Sequence, residues 1–256
     1  MSRVFITGSS DGLGQLAARM LLESGHQVTL HARNKSRADD ARRAVAAADT
    51  VLIGDLSSID ETRRLADEVN ALGRHEAINH NAGVGSRSGR EATVDGLSLA
   101  FAVNVLAPYL LTALIARPDR LVYVSSGMHM AGDPGLDDPQ WQTRNWNGTQ
   151  AYSDSKLFLV MLAFAVARRW RNVLSNAIEP GWAPTKMGGP AAPDDLALGA
   201  ATQVWLAVSN DPSAKVSGHC FYHQREQRVH TAARRSDLQE RLLDYCAKIS
   251  GVALPS

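Results

Sequence analysis

The sequence predicts an α/β fold in which a mostly parallel, seven-stranded sheet carries helices on both faces. Three observations predict it. Strand-like and helix-like segments alternate along all 256 residues, the pattern of βαβ units. A glycine-rich turn separates the first strand from the first helix. Two irregular stretches, 127–150 and 182–193, each follow the end of a predicted strand, at the sheet edge where α/β folds bind ligands.

Each element has its own justification. Residues 3–8 are apolar and β-rich, and 13–24 carry helical spacing. Residues 27–33 form the second strand and 36–48 an Ala/Arg-rich helix. The third strand is 50–56, after which Ser57 or Ser58 caps a helix running to about residue 72. The fourth strand is 77–83. A long apolar helix over 95–116 contains Pro108, which should kink it. The fifth strand is 120–126, and a second long helix covers 151–171. Strands at 174–181 and 218–223 flank a helix at 194–209, and a terminal helix covers 236–250. No repeat, low-complexity tract or linker interrupts this rhythm, so residues 1–256 read as one domain.

Composition narrows the partners. A 45% hydrophobic content supports a sizeable core. A net charge of +1 gives no reason to expect nucleic acid or an anionic membrane. No apolar run approaches the roughly 20 residues that span a bilayer. Cys220 and Cys246 lack metal-ligand spacing and read as free thiols of a reducing cytoplasm, with no metal expected. The first strand begins so early that no signal peptide is expected before it.

The turn reads Thr7-Gly8-Ser9-Ser10-Asp11-Gly12-Leu13-Gly14. Small residues there let backbone approach a pyrophosphate resting on helix N-terminal amides, although such turns are often structural only. The second strand ends His31-Ala32-Arg33-Asn34-Lys35, without the acid that commonly holds the ribose hydroxyls of NAD. Arg33 suits a ribose 2′-phosphate, which favours NADP over NAD; its other reading is a solvated loop arginine. Asp11 argues mildly the other way. Asp55 is either an adenine contact or an ordinary acid leading a helix. Asn81-Ala82-Gly83 offers a small turn for a dinucleotide to pass.

The other end carries acid–base chemistry. Tyr152 and Lys156 stand four apart and so share a helical face. A phenol with an unperturbed pKa of about 10 is a poor catalyst at neutral pH, and a fixed cation beside it favours the phenolate. Ser125-Ser126 ends the fifth strand, where a hydroxyl can bond a carbonyl oxygen as charge develops on it. Asn104, in mid-helix, is either a satisfied core amide or functional.

These residues resemble the short-chain dehydrogenases/reductases in their single-domain form, over essentially the whole chain. The supports are Thr7-Gly8-x-x-x-Gly12-x-Gly14, Asp55, Asn81-Ala82-Gly83, Asn104, Ser126, Tyr152-x-x-x-Lys156, and Pro180-Gly181 followed by Thr185. The resemblance implies a Rossmann-type fold and a catalytic tetrad of Asn104, Ser126, Tyr152 and Lys156. It implies that Lys156 also holds the nicotinamide ribose, that Asn104 helps place a relay water, and that Thr185 touches the nicotinamide carboxamide. Cofactor contacts from Gly8, Ser10, Gly12, Leu13, Gly14, Arg33, Asp55, Leu56, Asn81, Ala82, Gly83, Pro180 and Gly181 are implied too. Arg33 resembles the NADP-preferring branch.

Residues 127–150, long for that family, carry Met128, His129, Met130, Trp141 and Trp146 and resemble the substrate loop of members acting on retinoids, other lipophilic carbonyls or protochlorophyllide-like substrates. Pocket lining and simple loop packing both stay open for the two tryptophans, whereas Trp182 is the better pocket candidate. His129 is expected at a surface or in a loop. Met187-Gly188-Gly189-Pro190 fits a mobile lid. The basic stretch 224–235 reads as a solvated face.

The expected function is NADP(H)-dependent interconversion of a carbonyl and an alcohol on a small to medium lipophilic substrate. The alternative is a catalytically inactive, nucleotide-sensing regulator of the same fold. A sugar-nucleotide epimerase would need a C-terminal substrate domain, for which too few residues remain. The two long apolar helices resemble the family's subunit faces, which leaves homodimer, homotetramer or mere core burial open.

Overall fold

A computed structural model describes residues 1–86 and 89–256. Among them lies one sheet of eight strands in the order β3-β2-β1-β4-β5-β6-β7-β8. The strands are β1 Arg3–Ile6, β2 Gln27–Ala32, β3 Thr50–Ile53, β4 Ala77–His80, β5 Arg120–Val124, β6 Leu174–Glu179, β7 Cys220–Tyr222 and β8 Arg225–Glu226. The first seven pair in parallel. The count of seven is corrected by β8, which returns antiparallel to β7. The turn between them, His223-Gln224, has φ of 47° and 62°, the left-handed pair of a tight hairpin turn. Neither residue is glycine, so the usual hairpin signal was missing from the sequence.

Helices cover both faces. On one side, α1 Gly12–Glu23, α2 Lys35–Ala44 and α7 Leu196–Val208 pack over Val4, Ile6, Val28, Leu30 and Ile178. On the other, α3 Ile59–Ala71 and α6 Gly148–Arg169 join Phe5, Ile78, Leu121 and Tyr123 in the larger core. Alternate strand residues thus enter opposite cores, as the pleat requires. Ser58, rather than Ser57, caps α3 by accepting from the Glu61 N–H.

The helix expected over 95–116 is shorter and interrupted. Gly96 turns back on Thr93, so helical structure begins only with α4, Leu99–Phe101. A π turn, Ala102–Leu106, carries the chain into α5, Ala107–Leu114. Pro108 cannot donate to the preceding turn, which fits the wider coil just before it. The irregularity therefore falls on Asn104, not merely at the proline.

The last helix, α8 Ser236–Ser250, lies across α6. Residues beyond it continue over α5 and α6: Tyr109 Oη donates to the Val252 carbonyl at 2.8 Å, and Trp170 Nε1 to that of Pro255 at 2.8 Å.

Candidate active site

The glycine-rich turn leaves β1 and enters α1. Gly8 has φ of +62°, and a Cβ there would lie 2.8 Å from Ala82 Cα. A side chain at Gly14 would lie 2.7 Å from the Gly8 carbonyl. The turn is a cradle held open by small residues, the feature a pyrophosphate needs. Thr7 Oγ1 accepts from the N–H groups of Asn81 and Ala82, each at 3.0 Å. Asn81 Nδ2 donates to the Thr7 and Gly8 carbonyls, also at 3.0 Å. Asn81 and Ala82 therefore shape the turn. Ser10 is buried, and its carbonyl accepts from Gln15.

One residue the sequence reading passed over completes this stitching. His31 is buried, and its Nδ1 accepts the Gly8 N–H at 2.9 Å. That fixes the tautomer, so Nε2–H donates to the Gly54 carbonyl at 2.8 Å. Burial holds its pKa down at about 4, against smaller upward pulls from Gly54 and Asp55. Its place in the alternation of β2 was the only signal.

Around the expected 2′-phosphate position, Arg33 is exposed. Arg37, which the sequence reading did not single out, reaches the Asp11 carboxylate from the first turn of α2 and pairs there and with Asp40. Lys186 reaches Asp11 as well, at 3.0 Å. The acid that argued against the extra phosphate is thus flanked by two cations. Asp55 Oδ1 accepts from the N–H and hydroxyl of Ser57, the local turn of an acid leading a helix, and Leu56 is buried beside it.

Ser126 and Tyr152 come together at the ends of β5 and the start of α6. Burial pushes the phenol above its ordinary value, and a hydrogen bond with Ser126 pulls it back down. Lys156 lies beneath, 97% buried, with Nζ donating to the Val124 carbonyl at 2.9 Å and 5.7 Å from the phenol ring centroid. Burial lowers its pKa to about 8. Of these two influences on the phenol, Ser126 is the one that lowers its pKa. Asn104 is fully buried; its Oδ1 accepts the Val84 N–H at 2.8 Å and its Nδ2 donates to the Ser155 hydroxyl at 2.9 Å. A Cβ on Gly83 would lie 3.2 Å from both Asn104 Oδ1 and Lys156 Nζ, so these three meet at one point. The π turn is what swings Asn104 there.

Segment 182–189 folds across the glycine turn. Pro180 is buried and Gly181 has φ of +83°. Gly12 faces Thr185, whose methyl would meet a Cβ at 3.4 Å, and Leu13 packs toward Gly199. Thr185 Oγ1 accepts the Gly188 N–H, and Trp182 Nε1 donates to the Gly188 carbonyl at 2.9 Å. Trp182 and Met187 remain exposed, as do Met128 and Met130 on the facing turn Gly127–Ala131.

His129 is buried rather than superficial. Its Nδ1–H donates to the Ser126 carbonyl at 2.7 Å, which anchors the serine's backbone. Trp141 packs instead of lining a pocket: Nε1 donates to Asp154 at 3.1 Å, Arg144 stacks on the ring at 3.8 Å, and Trp146 meets its edge at 5.9 Å. Among the described residues, no group of His, Cys, Asp and Glu side chains is arranged to hold a metal, and no helix is long and apolar enough to cross a membrane.

A glycine cradle at a helix N-terminus beside a Ser–Tyr–Lys cluster defines a nicotinamide-type oxidoreductase site on a Rossmann-type sheet. Residues 2–135 match the family model described as short chain dehydrogenase, and this chain belongs to the short-chain dehydrogenase/reductase family. It is 45% identical to an uncharacterized oxidoreductase of Emericella nidulans, over 100% of this chain and 99% of that one. It is 29% identical to retinol dehydrogenase 13 of Homo sapiens, over 99% of this chain and 86% of that one. Among solved structures, an uncharacterized protein from Mycobacterium paratuberculosis superposes with a TM-score of 0.86 at 27% identity, covering 100% of this chain and 96% of its own. A blue fluorescent protein from a metagenomic library in complex with NADPH gives a TM-score of 0.71 at 19% identity, covering 86% and 95%.

Proposed function

We propose that this chain is an NADP(H)-dependent carbonyl reductase or alcohol dehydrogenase acting on a small to medium lipophilic substrate, folded as one domain over 1–256. The observation that carries the reading is the hydrogen-bonded Ser126–Tyr152 pair set over buried Lys156 and Asn104. When bound, the nicotinamide supplies or accepts the hydride. In the reducing direction the substrate carbon gains that hydride and its oxygen gains the Tyr152 proton, leaving an alcohol. Ser126 donates to the carbonyl oxygen as charge builds there. Lys156 stabilises the phenolate and returns a proton to it, with Asn104 fixing the amine's surroundings.

The residues fit the dinucleotide. The cradle of Gly8, Gly12 and Gly14 opens at the N-terminus of α1, and Gly83 leaves room beside Lys156. Arg33, Arg37 and Lys186 supply cations for a ribose 2′-phosphate or the pyrophosphate, so NADP is favoured over NAD. The NADPH complex of a protein with the same fold supports that choice. Exposed Trp182, Met128, Met130 and Met187 give the rim its apolar character, as does the likeness to a retinol dehydrogenase. Buried free Cys220 and Cys246 suit the cytoplasm.

Mixing the protein with NADPH or NADH and a panel of aldehydes and ketones tests the reading. Faster oxidation of NADPH than of NADH is expected. Tight NADPH binding with no turnover on any carbonyl would instead favour the nucleotide-sensing regulator.

A further inference from the structure

Glu179 ends β6 directly before Pro180-Gly181, and the chemistry above does not use it. Its placement is fixed by register. Val124 pairs with Ile178, and the Ser125 N–H donates to the Ile178 carbonyl at 2.8 Å. Ala177 enters the core beneath α6 and Ile178 the opposite one, so Glu179 returns to the α6 side, the side of Tyr152 and Lys156. Its carboxyl reaches Gly127, the residue after Ser126. A Cβ on Gly127 would collide with Glu179 Oε1 and lie 2.9 Å from its Cδ. The missing side chain at 127 is what lets this carboxyl stand against the serine's own strand end.

No hydrogen bond or ion pair among the described residues ends on the Glu179 carboxyl. Burial pushes its pKa up and nearby Asp194 adds to that, while His223 pulls the other way. Asp194 accepts the Trp182 N–H at 2.5 Å. His223 stacks on Tyr222 at 3.8 Å, and its buried Nε2 has no partner either. The half-buried Glu179 carboxyl is left without a donor beside Gly127, on the sheet face that carries Tyr152 and Lys156.

We propose that Glu179 is a specificity-determining residue that selects carbonyl substrates carrying a hydrogen-bond donor, a hydroxyl or N–H, beside the reacting carbon. The inference rests on the carbonyl–alcohol reading of the site. A donor there meets the Glu179 carboxyl next to Ser126, so one substrate group is read by Glu179 while the carbonyl oxygen is read by Ser126 and Tyr152. A substrate lacking the donor forgoes that hydrogen bond.

The test compares kcat/KM for α-hydroxyacetophenone and acetophenone with NADPH. The wild type should prefer the hydroxy ketone by about tenfold or more, the size expected of one hydrogen bond to that carboxyl. In E179L the ratio should collapse toward one. E179Q, which keeps an acceptor oxygen and the side chain's shape, should fall between and serves if the leucine variant does not fold. A wild-type ratio near one, or an unchanged ratio in active E179L or E179Q, would overturn the assignment and leave Glu179 as an internal partner of His223. Absence of turnover on both ketones in the wild type would instead overturn the parent reading, and this one with it.

Discussion

Lys156 carries the sharpest consequence at the scale of single residues. Its side chain is almost wholly buried and its pKa is held at about 8 by burial, so the amine is cationic below that pH and neutral above it. In the proposed mechanism the phenol needs the cation nearby to act as an acid that can be recharged. The reductive kcat/KM, which reports the free enzyme, should therefore fall as pH rises through about 8. Lys156→Arg, always charged, should remove that limb even if its overall rate is lower. A profile flat through this range in the native protein would count against the lysine's role. Tyr152, Lys156 and Asn104 were legible as residue types at fixed spacing. Glu179, Arg37 and His31 were not, because their importance lies in contacts between residues remote in sequence, such as Gly127 with Glu179 and Gly8 with His31.

At the scale of elements, β2 ties the glycine turn to β3 through a histidine that stays neutral in the folded chain. Unfolded, His31 would take a proton near pH 6.5, whereas the folded chain resists until about 4. Its contribution to stability is therefore complete above about 6.5 and is lost as pH falls toward 4, on the order of 3 kcal/mol. Buried His80 of β4, held at about 3 by burial, acts in the same direction. Urea unfolding should show stability rising between these limits, with a shallower slope in His31→Gln. A pH-independent midpoint would contradict this. Most elements could be read from hydrophobic period alone. The interrupted helix could not, since residues 100–112 are buried all round and the one-residue shift of a π turn leaves no mark on a pattern without a polar face. The two-residue β8 was equally silent, being too short for any period.

At the scale of the whole molecule, the helices that resemble subunit faces are already covered. Leu238, Leu242 and Leu243 of α8 join the core with α6, Arg234 lies over Phe164 at 5.2 Å, and the C-terminal carbonyls of Val252 and Pro255 bond side chains of α5 and the end of α6. The exposed large apolar side chains Met128, Met130, Trp182 and Met187 gather on the 127–131 and 182–189 segments instead. Light scattering after size exclusion should give a monomer of 27.6 kDa, and a stable dimer or tetramer would show a face that this packing does not leave open. Apolar helices alone could not have told this at the sequence level, because burial by another subunit and burial by the chain's own C-terminus leave the same composition.

The proposed function turns on the phenol of Tyr152 as the proton donor beside a bound dinucleotide. Single-turnover mixing of NADPH-loaded protein with a ketone tests it most directly. In Tyr152→Phe, NADPH should still bind, and the rate of its oxidation should drop by about 10²- to 10⁴-fold, the usual worth of a positioned acid. Oxidation in that variant at close to the native rate would contradict the account.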